Sequence, residues 1–148
     1  MVVNNSMLPY NGRKNIVFVP CNMNLNQLTV PSKDLQRSLL FYKSLGLNLI
    51  VRALPHYLRF ECPEGEATFS IHLQEELPTG NGIYIYFECF NLNQKVSDLI
   101  KKGITFQELP TDKTWLWREA RLKDPDGNQI ILYHAGENRK NPPWRIIE

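Results

Sequence analysis

Three side chains in this sequence combine the acid–base and charge properties that a small-molecule reaction needs. His72 can take or give a proton near neutral pH, Glu119 can act as a carboxylate base, and Arg121 can hold a developing oxyanion. His72, Glu119 and Arg121 are therefore the candidate catalytic residues. A second group is suited to binding rather than reaction. Tyr57, Tyr84, Tyr86, Trp117 and Tyr133 offer flat faces on which a planar or cationic compound can stack, and Arg59 offers a second guanidinium for an anionic oxygen.

These residues recur on segments whose polarity alternates with period two. Leu58 and Phe60 alternate with Tyr57, Arg59 and Glu61; Phe69 and Ile71 with Ser70 and His72; Ile83, Ile85 and Phe87 with Tyr84, Tyr86 and Glu88. Ala120 and Leu122 alternate with Glu119, Arg121 and Lys123, and Ile130 and Leu132 with Ile131 and Tyr133. Such alternation marks strands covered by helices on one side, with the intervening residues on the other face. Taken singly, each of these polar residues is ordinary surface. Aromatic and arginine side chains gathered on one open sheet face point to a cleft.

The elements that position them are laid out twice. Gln27 opens an apolar stretch, Asp34-Leu35 starts a helical pattern and Gly46 closes it; 57 positions later Tyr84, Asn91-Leu92 and Gly103 do the same. In the first copy a strand near 24–29 ends at Pro31. Ser32 is placed to cap the helix with Asp34 in its first turn, and Leu35, Leu39, Tyr42 and Leu45 form one apolar stripe. Strands are expected at 47–52, 57–62 and 68–74. The second copy gives a strand at 83–88, a helix capped by Asn91, and strands at 104–108, 117–123 and 129–133. The fold class is α+β, two tandem βαβββ modules at about 24–75 and 82–136, within one domain over 21–136. Residues 1–20 read as an extension with a possible edge strand at 16–19. Residues 137–148 read as an irregular tail in which Trp144 docks on the domain. Overlaying the two Pro-x-Gly turns pairs His72 with His134, while the apolar pattern puts these two on opposite faces; a bulge or a turn of different length would reconcile them.

Composition limits the function classes. The chain has 148 residues, 43% hydrophobic and 22% charged, with a formal net charge of +2 and no basic cluster. That balance gives no case for nucleic acid or an anionic membrane. No stretch is long enough to span a bilayer, and no leader segment is recognisable, so a cytoplasmic setting is expected. Cys21, Cys62 and Cys89 are an odd number without CxxC spacing, which suits buried filler in a reducing compartment better than a disulfide framework, with one reactive thiol as the other possibility. His56, beside Pro55 in an expected loop, has a weaker claim to chemistry than His72.

Gln27-Leu28-Thr29-Val30, Ser38-Leu39-Leu40-Phe41-Tyr42, Leu45-Gly46-Leu47 and Asp124-Pro125-Asp126-Gly127-Asn128, set in paired βαβββ units, resemble the vicinal oxygen chelate superfamily of glyoxalases, extradiol dioxygenases and bleomycin-resistance proteins. The resemblance implies a concave mixed sheet with helices on its outer face, a small-molecule ligand, and a homodimer whose clefts are completed across two chains. It also implies a divalent metal held from the first, fourth, fifth and eighth strands. Gln27 matches the first of those positions and is an allowed ligand type. Ser70, Tyr84 and Ile131 stand at the other three, where neutral hydroxyls and an alkyl chain replace the expected ligands. The usual site is largely missing, and a displaced one would draw on Gln27, His72 and Glu119, with Glu88 as a further carboxylate.

Two readings of different class follow. One is an enzyme, a glyoxalase-type lyase or isomerase or else a dioxygenase, with His72 or Glu119 as base and Arg59 or Arg121 on the oxyanion. The other is a non-catalytic binder of the bleomycin-resistance type, stacking a small compound between aromatic walls.

Overall fold

The computed structural model describes residues 23–147; the expected edge strand at 16–19 and Cys21 lie outside the described residues. The first module is built from β1 (Gln27–Ser32), α1 (Leu35–Leu45), β2 (Asn48–Ala53), β3 (Tyr57–Glu61) and β4 (Thr68–Leu73). The second contains β5 (Tyr84–Glu88), α2 (Leu92–Lys101), β6 (Glu108–Asp112), β7 (Arg118–Lys123) and β8 (Gln129–His134). A single 3-10 turn, Gly136–Arg139, follows. Each module forms a four-stranded mixed sheet, in the orders β1-β4-β3-β2 and β5-β8-β7-β6, with the first and last strands parallel. The structure thus has the tandem βαβββ architecture expected from the repeat.

The helices start and stop for local reasons that recur at spacing 57. Asp34 caps α1 through its side chain, accepting from Arg37 N–H, and Asn91 caps α2 by accepting from Gln94 N–H. The cap is therefore Asp34 rather than Ser32. The Ser32 hydroxyl is buried, accepts from Asp34 N–H and shares a hydrogen bond with Ser38 Oγ. Gly46 ends α1 in the left-handed region at φ 103°, where a side chain would be strained. Pro31 lies inside β1 rather than after it, which an edge strand tolerates because it needs only one row of ladder bonds.

One core spans both modules. Leu35, Leu39, Tyr42, Leu58, Phe60 and Phe69 of the first join Ile85, Leu92, Val96, Leu99, Leu122, Ile130 and Leu132 of the second. Phe69 and Phe87 meet edge to face across the junction, 5.9 Å between centroids. The turn after β7 locks the modules together. Asp126 accepts from Lys33 N–H, the Arg37 guanidinium and Ser38 Oγ, tying it to the start of α1. Asp124 accepts from Tyr42 Oη at 2.6 Å and from Asn128 Nδ2 at 2.7 Å, and Asn128 Nδ2 also reaches Pro31 O. Burial and the Asp124 carboxylate beside it push the Tyr42 phenol far above its ordinary value, so Tyr42 stays a donor.

Three local expectations change. The strand expected at 104–108 begins at Glu108, because Ile104 and Phe106 pack against the core before the chain pairs with β7. Ile83 precedes its strand and is exposed. Trp144 is 56% exposed, so the tail is not anchored by that indole.

Candidate functional site

The register gives the repeat a finer form. Gln27 pairs with Thr68 as Tyr84 pairs with Gln129, so Ser70 of β4 and Ile131 of β8 are equivalent, 61 positions apart. His72 is thus the counterpart of Tyr133, not of His134, which settles the ambiguity between the two histidines. Val51 pairs with Arg59 as Glu108 pairs with Arg121. The offset is therefore still 57 between Val51 and Glu108 but has grown to 62 between Arg59 and Arg121. One additional residue of the second module is taken up by the bulge between Glu108 and Thr111, and the others lengthen the β6–β7 hairpin, the segment that carries Trp115 and Trp117.

The open face of the first sheet is a hydrogen-bonded polar surface. Gln27 Nε2 donates to Ser70 Oγ at 2.7 Å, Ser70 Oγ and Tyr57 Oη lie 2.6 Å apart, and Arg59 Nε donates to Tyr57 Oη at 2.8 Å. The Arg59 guanidinium lies over the Tyr57 ring, 5.4 Å from its centre. Gln27 Oε1 accepts from Thr68. His72 is exposed at the rim of a groove of about 460 Å³, where its Nδ1 meets Gln74 Nε2 at 2.7 Å.

The open face of the second sheet is aromatic and partly closed. Trp117 and Tyr133 stack, with centroids 4.8 Å apart and planes at 24°, and Tyr86 stands edge-on to both at 5.9 and 5.6 Å. Ile131 and Ala135 complete this second apolar cluster. Tyr86 remains 47% exposed, so one side of the cluster is accessible. Burial, then the nearby Glu119 carboxylate, raises the Tyr86 phenol, and burial, then Glu88, raises Tyr133; both are protonated at neutral pH. Tyr84, also exposed, continues the face along β5.

Glu119 is 1% exposed within this sheet. Its carboxylate accepts from Trp115 Nε1 at 2.8 Å and from Arg121 Nη2 at 3.1 Å. Arg121 also approaches Glu108 at 3.3 Å, and Glu108 pairs with Lys113. Leu116, between the two tryptophans, has φ 66°, a left-handed conformation that a branched residue adopts only where its surroundings impose it.

The structure brings Glu119 and Arg121 together but leaves His72 on the other sheet with Gln74 as its side-chain partner, so the three candidate catalytic residues do not form one constellation within the chain. Gln27, Tyr57 and Arg59 form one group, and Tyr86, Trp117 and Tyr133 another. Sequence reasoning missed Trp115, Glu108 and Lys113, which neutralise and orient Glu119 and Arg121; none lies in an alternating pattern. It also missed the use of Glu88, which accepts from Ala135 and Gly136 N–H and pairs with Arg139 at 3.5 Å, holding the 3-10 turn against the sheet.

The donor set does not fit the family's metal. Ser70 Oγ is engaged with Gln27 and Tyr57, Ile131 has no donor atom, and among the described residues no three His, Cys, Asp or Glu side chains cluster as a cation would require. No helix among the described residues is long and apolar enough to cross a membrane.

Comparison with solved structures supports the architecture. A glyoxalase/bleomycin resistance protein/dioxygenase from Nocardioides superposes with TM-score 0.70 at 20% identity, covering 88% of this chain and 93% of that one. Lactoylglutathione lyase from Agrobacterium tumefaciens gives 0.65 at 13% identity, covering 78% and 96%. A bleomycin-binding protein complexed with bleomycin gives 0.61 at 18%, covering 76% and 98%. At these identities the likeness is one of fold. No curated protein matches the chain. A family model, however, matches residues 24–132, which is most of the sequence. With the paired modules and the inter-module turn in place, the chain belongs to the Glyoxalase/Bleomycin resistance protein/Dioxygenase superfamily.

Proposed function

We propose that this protein binds a small planar molecule against Tyr86, Trp117 and Tyr133, without the metal centre usual in its superfamily. The observation that carries the reading is the aromatic cluster on the open face of the second sheet, with Ile131 at the last of the family's ligand positions. Half-exposed Tyr86, perpendicular to the stacked Trp117–Tyr133 pair, leaves aromatic surface accessible to a ligand; each well-placed aromatic pair contributes about 0.5–1.5 kcal/mol beyond burial. A bleomycin-binding protein shares the fold, which is consistent with a binding role. As the superfamily resemblance implies, the cleft is completed by a second copy of the chain; gel filtration at the monomer mass of 17.3 kDa would contradict this.

Titration with planar aromatic compounds, followed by tryptophan fluorescence, tests the reading. Saturable quenching is expected, lost in Trp117→Ala and retained in His72→Ala. Stoichiometric transition metal in protein purified without chelator, lost on His72→Ala, would overturn it in favour of a displaced metal centre. A second reading, a metal-free lyase or isomerase, is favoured by one feature: Glu119 is a shielded carboxylate fixed by Trp115 and Arg121 beside the aromatic cluster. In that case Glu119→Gln abolishes turnover and leaves binding within a few-fold.

A further inference from the structure

The polar surface of the first sheet has a direction that the bond lengths alone do not reveal. Gln27 Nε2 lies 3.2 Å from Leu28 O, an atom that can only accept, so the Gln27 amide presents nitrogen on that side and its oxygen to Thr68. The same nitrogen donates to Ser70 Oγ. Ser70 is completely buried, and its hydroxyl proton has one acceptor among the described side chains, Tyr57 Oη. A buried hydroxyl left without an acceptor is costly, so Ser70 donates to Tyr57. Arg59 Nε donates to the same oxygen. Tyr57 Oη thus accepts two hydrogen bonds and retains its own proton for an atom outside the network.

That proton lies beside a cation. Arg59 is exposed, its Nε is fixed by Tyr57, and no carboxylate pairs with it among the described residues. Its counterpart Arg121 contacts two, Glu108 and Glu119. The asymmetry is informative because the two arginines hold the same place in the two sheets. One is neutralised, and the other has both terminal nitrogens without a hydrogen-bond partner among the described residues.

We infer that Tyr57 Oη–H and the Arg59 guanidinium form an anion-binding pair that takes a planar carboxylate or the oxygen of an enolate. Terminal guanidinium nitrogens match two coplanar oxygens end-on, and the tyrosine hydroxyl adds a third donor. Arg59 then supplies positive charge on the face where the residues at the family's first two ligand positions, Gln27 and Ser70, are committed to the network that holds Tyr57. The inference rests on the small-molecule reading for the existence of a ligand and adds the group that ligand carries.

Benzoate and benzamide, equal in shape and different in charge, separate the two. Binding is measured by calorimetry, and the Arg59 Nε–Hε resonance is followed by NMR. Benzoate is expected to bind about fivefold tighter than benzamide, a difference typical of a partly exposed ion pair. Arg59→Gln should erase the difference, and Tyr57→Phe should weaken benzoate binding. Equal binding of the two probes, both weakened in Trp117→Ala, overturns this inference and leaves the aromatic reading standing. A benzoate preference that survives Arg59→Gln overturns it, as does an Arg59 resonance unmoved by tens of millimolar benzoate. Inorganic phosphate shifting that resonance as strongly as benzoate would overturn the assignment to a planar carboxylate.

Discussion

Ser70 and Ile131 occupy the same position in the two sheets, each in the strand parallel to its module's first, and both are buried. The resemblance to the superfamily puts a carboxylate ligand at each. Ser70 instead receives a hydrogen bond from Gln27 and joins Tyr57, while Ile131 packs with Tyr133, Ala135 and Trp117. The two halves have replaced the same function in opposite ways, one with a polar network and the other with an apolar patch.

Ile131→Ala should therefore act as a core truncation on what is nominally the open face. A loss of about 2–4 kcal/mol is expected, in the range for buried aliphatic truncations that leave a cavity. Chemical denaturation measures it; a loss under about 0.5 kcal/mol would mean the patch is solvated rather than packed.

The bond from Tyr42 to Asp124 joins the modules, so it should be worth more than a surface contact. Tyr42→Phe is expected to cost about 1–2 kcal/mol. Asp124→Ala should cost about 3 kcal/mol, because it also strands the Asn128 side chain and the N–H groups of Asp126 and Asn128. In a double-mutant cycle the pair should couple by about 1 kcal/mol or more, and additivity would show that the bond contributes nothing specific.

Trp115→Phe keeps a smaller aromatic ring and removes one donor from the buried Glu119 carboxylate. A destabilisation of about 1–3 kcal/mol follows if that carboxylate is left short of a partner. Thermal unfolding of this variant and of Trp115→Phe/Glu119→Gln should show the second change recovering part of the loss. No recovery would assign the effect to packing of the indole.

The hydrogen bond from Lys113, aided by its charge and that of Arg121, holds the Glu108 carboxyl below its ordinary value of 4.5. A carboxyl lowered by folding adds stability that is complete above its unfolded value and lost as pH falls through its folded one. Stability should thus decline below about pH 4.5 in part through Glu108. Glu108→Gln should be flatter than the parent over that acid range and similar in shape near pH 7, as urea titrations at stepped pH would show. Parallel acid slopes would remove Glu108 from the account.

Much of the scaffold was legible because it depends on local signals. The cap Asn91, the stop glycines Gly46 and Gly103, and the alternation along 57–62, 68–74 and 129–133 all report on the element that contains them, whereas at α1 the cap fell on Asp34 and not on the expected Ser32. The site was legible only as two lists of residues. Alternation placed Tyr57, Arg59, Tyr86 and Tyr133 on open faces, but it could not say that His72 and Glu119 belong to different sheets. It also gave no sign that Trp115 would reach Glu119, since that contact depends on an irregular connection with a left-handed Leu116. The start of β6 was misplaced because Ile104 and Phe106 are apolar for packing rather than for pairing.

The β6–β7 connection carries a consequence of its own. A symmetric pair of identical half-length chains would have to install the same loop and the same side chains on both faces at once. Covalent linkage of the two units removes that constraint, so a longer connection bearing two indoles can arise on one side while the other keeps a short one. The molecule can then change what it recognises by altering one connection, while the helices, caps and inter-module lock that hold it together stay as they are.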